Sequence, residues 1–211
     1  VVSTGPLVTR PSHVAVDLRG RILVTDCDQG IVAVDPGSGS QSVLVSSAAL
    51  GGVPFGLTVT NDGKLFVSLI NPGRILRVDP DTGEPTTFAS GGLLSYPLGL
   101  TNGSDGMLYV AENSLPLRGS IVRVDPASGI ESFVATSSEF VHPFDIAVSN
   151  GTAWTLQTGF ADGRGGCIEE THLADATSTH SPLSAYCRSK GIAVAGDGMI
   201  AHSDCIPVDN V

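Results

Sequence analysis

Residues 54–90 read PFGLTVTNDGKLFVSLINPGRILRVDPDTGEPTTFAS. Apolar residues alternate with polar ones over Leu57–Thr60, Leu65–Leu69, Arg74–Val78 and Thr86–Ala89, which predicts four short strands. Asn61-Asp62-Gly63 supplies a tight turn between the first two, and Asp79-Pro80-Asp81-Thr82-Gly83 one between the last two. The same phrase stands at 11–47 (PSHVAVDLRGRILVTDCDQGIVAVDPGSGSQSVLVSS) and at 97–136 (PLGLTNGSDGMLYVAENSLPLRGSIVRVDPASGIESFVAT). A divergent copy starts at Pro143, and the start of another at Lys190. The turn centres Gly20, Gly63, Gly106, Gly151 and Gly198 lie 43, 43, 45 and 47 residues apart. A period of that length, with four strands per unit and no useful helical periodicity, predicts an all-β propeller of four-stranded antiparallel blades.

Five units follow, at about 11–53, 54–96, 97–142, 143–189 and 190–211 plus 1–7, in a single domain of 211 residues. The last unit has three strands, and its missing fourth is expected from Val1–Ser3 at the other chain end. That pairing would close a five-bladed ring and leave no open sheet edge. A piece of a larger propeller is the alternative.

Charged residues make up 15% of the chain, the net charge is −10, and the only lysines are Lys64 and Lys190. An acidic balance of this kind argues against nucleic acid and anionic membranes, which require basic patches. No apolar run approaches the ~20 residues of a membrane-spanning helix. No basic segment followed by an apolar stretch opens the chain, so a signal peptide is expected to be removed already or never present. The four cysteines form no CxxC pair, which disfavours zinc. Their even number suits two disulfides in a secreted protein. Cys27 and Cys205 end equivalent second strands, and Cys167 and Cys187 begin a third strand and end a fourth. The expected pairs are therefore Cys27–Cys205 and Cys167–Cys187. Asn102 and Asn150 head N-x-[ST] sequons at strand turns and are candidate glycosylation sites; N-G is also ordinary turn chemistry.

The residues Pro54-Phe55-Gly56-Leu57, Asp62-Gly63-Lys64-Leu65-Phe66-Val67 and Gly73–Pro80, with their counterparts in 97–126, resemble the NHL and SMP-30/gluconolactonase superfamily of propellers, including its streptogramin-lyase-like branch. The resemblance implies a ligand site at the axial mouth, lined by loops entering each first strand and leaving each second one. It also implies that lactonases hold a divalent metal there with Asn, Glu and Asp, and that the lyases use His and Glu. The matching entry positions are Ser12, Phe55, Leu98, Phe144 and Lys190. Three of the five are large and apolar, a poor bed for a hard cation that needs six or more oxygens.

Two site readings stay open. Exit loops carry Asp26, Asp28, Asn71, Glu112, Asn113, His202, Ser203 and Asp204. With Asp145, which replaces an entry-turn glycine, one reading is a Ca²⁺ or Mg²⁺ site of Asp26, Glu112, Asp145 and Asp204, with His13 or His202 as base. Alternatively these are loop residues chosen for turn formation, and Phe55, Leu98 and Phe144 line an apolar ligand pocket or plug the axis. Trp154, Phe66 and Tyr109 are expected between blades. The insertion Gly159–Gly166 either caps the axis or is a surface loop. The preferred function is a secreted, disulfide-stabilised propeller that binds protein partners or self-associates. A metal-dependent lactonase or lyase-like enzyme is the alternative, and a carbohydrate-binding propeller a third reading.

Overall fold

The computed structural model describes residues 2–114, 119–136, 142–157, 167–182, 191–195 and 199–202. The chain divides into two compact units, Val1–Pro97 and Leu98–Val211. In the first, β1 (Pro11–Val16), β2 (Ile22–Asp26), β3 (Gly30–Val34) and β4 (Gln41–Ser46) form one antiparallel sheet in sequence order. A single helical turn, α1 (Ser47–Leu50), follows it, with Ser46 accepting the Ala49 N–H as its cap. A second sheet comprises β5 (Pro54–Val59), β6 (Leu65–Ile70), β7 (Gly73–Val78) and β8 (Pro85–Ser90). These four strands lie within a few residues of the sequence expectation.

The second unit holds a third sheet of β9 (Pro97–Asn102), β10 (Leu108–Glu112), β11 (Ser120–Val124) and β12 (Glu131–Ala135). A fourth sheet contains β13 (Pro143–Ser149), β14 (Thr152–Gln157), β15 (Cys167–His172) and β16 (Ser178–Pro182). Strands β17 (Ile192–Val194) and β18 (Ile200–His202) form a two-stranded fifth sheet. The described residues are thus all-β in architecture, in four four-stranded antiparallel sheets and a shorter one. No described helix is long and apolar enough to cross a membrane.

Three turn devices explain the period. Gly20, Gly63, Gly106 and Gly151 turn β1 into β2 and its equivalents with φ between 75 and 82°, a region costly for any residue with a Cβ. In the second device an Asp collects N–H groups two and three residues on: Asp79 Oδ1 accepts from Asp81 at 2.8 Å and Thr82 at 2.9 Å. Asp35 does the same for Gly37 and Ser38. Third, a proline starts β1, β5, β9 and β13.

Within each unit the cores lie between neighbouring sheets. Leu23, Ile31 and Ala33 of the first sheet pack on Leu57, Leu65 and Val67 of the second. In the second unit, Tyr109 and Ala111 pack on Ile146 and Ala153, while Trp154 and Leu156 pack on Ile192. Tyr109 and Trp154 therefore sit between sheets, as expected. Phe66 is buried and meets Phe88 of its own sheet edge-on, 5.0 Å between ring centroids.

Two expectations are corrected. Residues 2–9 form no strand. Ser3 instead donates to the Gly39 carbonyl at 2.6 Å, and the Leu7 N–H reaches Gln41 Oε1 at 2.8 Å, so this segment is anchored on the first sheet. The side chain of Gln41 and the backbone of the β3–β4 turn offer it polar partners there. The β15–β16 register sets Pro182, not Cys187, opposite Cys167. Cys187 lies outside the described residues.

Candidate functional site

The expected site begins where each incoming chain reaches its proline. Proline lacks an N–H, so the residue before it carries the last backbone donor. In the first sheet that residue is Arg10, whose N–H reaches Asp26 Oδ2 at 2.6 Å; Thr9 donates to the same oxygen at 2.7 Å. The other oxygen, Oδ1, accepts from Asp28 at 2.9 Å and Gln29 at 3.0 Å. The carboxylate is wholly buried. Burial pushes the Asp26 carboxyl up, but the N–H groups of Arg10, Gln29, Asp28 and Thr9 outweigh it and hold it below the ordinary carboxylate range.

The same arrangement recurs one strand position at a time. Asp26 pairs with Pro11, Leu69 with Pro54 and Gln157 with Pro143. Gln157 Oε1 accepts the N–H of His142, the residue before its proline, at 3.3 Å. In the second sheet the position is apolar, and the crossing is held by the Ile70 N–H on the Val53 carbonyl at 3.0 Å. The exit position is therefore a clasp on the incoming chain, and Asp26 serves as one.

Entry turns are joined to the next turn by polar atoms. Ser12 Oγ lies 3.3 Å from the Pro54 and Phe55 carbonyls, and Thr25 Oγ1 donates to Phe55 at 2.7 Å. In the second unit Gly99 faces the backbone of Asp145, so closely that a Cβ there would fall 2.6 Å from Asp145 Cα. Asp145, almost wholly buried, accepts the Ile146 N–H at 2.9 Å through Oδ1 and the Ile192 N–H at 3.0 Å through Oδ2. Its side chain thus spans from β13 to β17.

Glu112 is buried at the exit of β10, with Ser114 Oγ donating to it at 2.8 Å. Beside it in sequence, Asn113 Oδ1 lies 3.2 Å from His142 Nδ1. His13 is half-buried and stands opposite Thr25. Phe55 is buried in the first unit; in the second, Leu98 is buried and Phe144 half-buried. His202 ends β18. Lys190, Ser203, Asp204, Cys205 and the insertion Gly159–Gly166 lie outside the described residues. Among the described residues no three His, Cys, Asp or Glu side chains gather closely enough to hold a metal ion. Cys27 is half-buried and Cys167 buried, with no disulfide among the described residues. Asn150 is exposed in its turn and Asn102 half-buried at the end of β9.

Sequence reasoning missed the hydroxyls of Ser12 and Thr25, which are ordinary in composition and acquire a role only when a neighbouring turn presents bare carbonyls. It also missed two surface hollows. One, of about 440 Å³, is lined by Asp62, Lys64, Arg77, Asp79, Glu84 and Thr86. Lys64 and Thr60 hold Asp62 there down to about 2. The other, of about 290 Å³, is lined by Tyr109, Arg123, Ser132, Phe133 and Asp175 among others.

No family model matches the chain. In sequence, a stretch of 33 residues is 48% identical to regucalcin from Danio rerio, covering 16% of this chain and 11% of that protein. In structure, a gluconolactonase from Xanthomonas campestris aligns with 93% of the chain and 70% of its own at 18% identity, with a TM-score of 0.77. A nidogen/laminin complex aligns with 92% and 72% at 14% identity, also at 0.77. The fold is that of a β-propeller. Virginiamycin B lyase from Staphylococcus aureus aligns with 92% of the chain at 19% identity and a TM-score of 0.70, the chain spanning 62% of that protein's length. The resemblance carried by the Pro-x-Gly and Asp-Gly phrases therefore holds in three dimensions. Propellers of this type include a chain in a protein–protein complex and two enzymes, so the fold leaves the function to the site.

Proposed function

We propose that this propeller is a secreted, disulfide-stabilised interaction module that binds protein partners, copies of itself included. The observation that carries the reading is the use of its buried acids. Asp26 already accepts four backbone N–H groups and Asp145 two, so their oxygens are committed to holding the chain in place. A hard cation would have to strip those donors away, each a charge-assisted hydrogen bond worth about 1.5–3 kcal/mol. Calorimetric titration with Ca²⁺ and Mg²⁺, together with assays of lactone hydrolysis, tests this. No saturable heat and no turnover is expected; micromolar binding lost in an Asp145→Asn variant would replace the reading with that of a metal-dependent enzyme.

The alternative of a lactonase or lyase-like enzyme is favoured by the buried Glu112 beside Asn113 and His142, a carboxylate and an imidazole on neighbouring exit and entry loops. Glu112→Gln would then abolish turnover. The oxidising compartment is part of the leading reading, with Cys27 paired to Cys205 and Cys167 to Cys187. Peptide mapping without reductant checks both pairs, and mass analysis of Asn102 and Asn150 checks for glycans.

A further inference from the structure

Four Asn-Gly or Asp-Gly bonds lie among the described residues: Asp62-Gly63, Asn102-Gly103, Asp105-Gly106 and Asn150-Gly151. In three of them the glycine N–H is in use. Gly63 donates to the Thr60 carbonyl at 2.8 Å, Gly103 to that of Met107 at 2.8 Å, and Gly106 to that of Gly103 at 3.0 Å. The Gly151 N–H has no acceptor among the described residues, and the Asn150 side chain makes no hydrogen bond there either.

The difference comes from turn length. Val16 pairs with Ile22 and Val59 with Leu65, so the glycine N–H in each of those longer loops closes on the carbonyl three residues back. In the fourth sheet Ser149 pairs with Thr152, which leaves Asn150 and Gly151 alone in the loop. Their φ values of 48° and 75° are both positive, as a type I′ hairpin turn demands. The carbonyl three residues before Gly151 belongs to Val148, inside β13. Space separates the two Asn-Gly pairs as well. A Cβ on Gly103 would fall 2.8 Å from the Tyr109 ring, whereas one on Gly151 would meet nothing within 4 Å. Asn150 and Gly151 are both exposed, while Asn102 is half-buried and Gly103 buried.

We propose that Asn150 is a site of spontaneous deamidation, which turns residue 150 into a mixture of aspartate and isoaspartate, and that the fold protects Asn102 in the same dipeptide. The Gly151 nitrogen gives its proton to solvent and bonds to Asn150 Cγ. The side-chain amino group takes up a proton and leaves as ammonia. Water then opens the five-membered imide. Cleavage at Cγ yields aspartate; cleavage at the backbone carbonyl leaves the chain running through Cγ, an isoaspartate. Water is the only co-reactant, and nothing is oxidised or reduced. Glycine suits the attack because no Cβ shields its nitrogen. Isoaspartate adds one carbon to the backbone of a loop that has no slack. Because the Gly151 carbonyl accepts the Leu173 N–H at 2.9 Å, the insertion is felt at the β15–β16 turn. Deamidation also removes the nitrogen to which a glycan would attach, so the two modifications of Asn150 exclude each other.

Timed peptide mapping of the folded chain at neutral pH tests the proposal, on protein whose mass shows no glycan. Asn150 is expected to convert at least about tenfold faster than Asn102, the factor for first opening a hydrogen bond and a buried strand end. In urea the two should convert at comparable rates, since the dipeptide is the same. Enzymatic methylation specific for isoaspartate should label residue 150. An Asn102 that keeps pace in the folded chain overturns the proposal, as does an Asn150 that stays intact there while the unfolded chain converts. A rate gap that persists in urea overturns it too, since the neighbours Ser104 and Thr152 rather than the fold would then set the rates. So does a product that is aspartate alone, because hydrolysis would then bypass the Gly151 nitrogen. None of these outcomes depends on metal, lactone or partner, so the interaction-module reading fails or survives separately.

Discussion

Gly99 and Asp145 meet across two sheets, and the Cβ that Gly99 lacks would lie 2.5 Å from Asp145 Oδ1. The glycine of the Pro-x-Gly phrase is thus required by close approach of the next entry turn, where Asp145 itself stands in the glycine's place. Gly99→Ala must push backbone as well as side chain, since Asp145 Cα and the Ile146 N–H also lie within 3.0 Å of the new atom. Overpacking of this kind costs about 1–3 kcal/mol. Urea unfolding is expected to show a lower midpoint with an unchanged slope.

Asp26→Ala removes the acceptor of four N–H groups and leaves those of Thr9 and Arg10 without it. A loss of about 1.5–3 kcal/mol follows from removing the charged acceptor of these bonds. Amide exchange at Arg10 should accelerate by more than tenfold, whereas a purely global effect would accelerate the core strands equally.

Acid should weaken the fold through the same group. Asp26 and Asp17 both titrate below their ordinary values: burial raises each, but backbone donors around Asp26 and the Arg21 guanidinium beside Asp17 lower them more. A carboxyl with a lowered folded pKa adds stability above its unfolded value of about 4 and loses it as pH falls through the folded one. Stability should therefore be flat from neutrality to about pH 5 and decline below about pH 4. In Asp26→Asn the decline should be shallower.

Tyr109 gives the opposite dependence. Burial and its hydrogen bond to Asp105, at 2.8 Å, push its hydroxyl up to about 12. The unfolded phenol ionises near 10. Stability is lost between those values as pH rises, because only the unfolded form releases its proton there. Ultraviolet titration should show a phenol ionising near pH 12, and Tyr109→Phe should remove that step.

Ala176 occupies a glycine's position. It closes the β15–β16 turn with φ 58° and donates its N–H to His172 at 2.9 Å, as Gly83 does to Asp79 in the second sheet. The left-handed conformation costs an alanine roughly 1–2 kcal/mol, while glycine adds about 0.5–1 kcal/mol of unfolded-state entropy. Ala176→Gly should be stabilising by a few tenths to about 1 kcal/mol, and a thermal scan that shows a decrease would contradict this account.

Most of the array was legible in the chain. Period, strand order and the turns at Gly63 and Asp79 rest on local chemistry: a positive φ, a proline without a donor, an aspartate that collects its own following N–H groups. These requirements act within a few residues, so they leave a pattern in the chain itself. The acids at the exits were harder. Asp26 and Glu112 look alike in sequence, and only the path of Thr9 and Arg10 past the end of β2 makes Asp26 a clasp. Asp145 stands out as an oddity in the entry phrase, but its carboxylate gains a role only because the Ile192 N–H arrives from 47 residues away. The expected strand at Val1–Ser3 failed for a similar reason, since Gly39 and Gln41 offer that segment partners on the first sheet.

The sequence by itself therefore determined the all-β repeat, its sheets and its turns, because these depend on backbone geometry between near neighbours. The tertiary structure alone decided which polar groups are consumed in holding the chain. That depends on which distant surfaces come into contact, and burial is a property of those surfaces together.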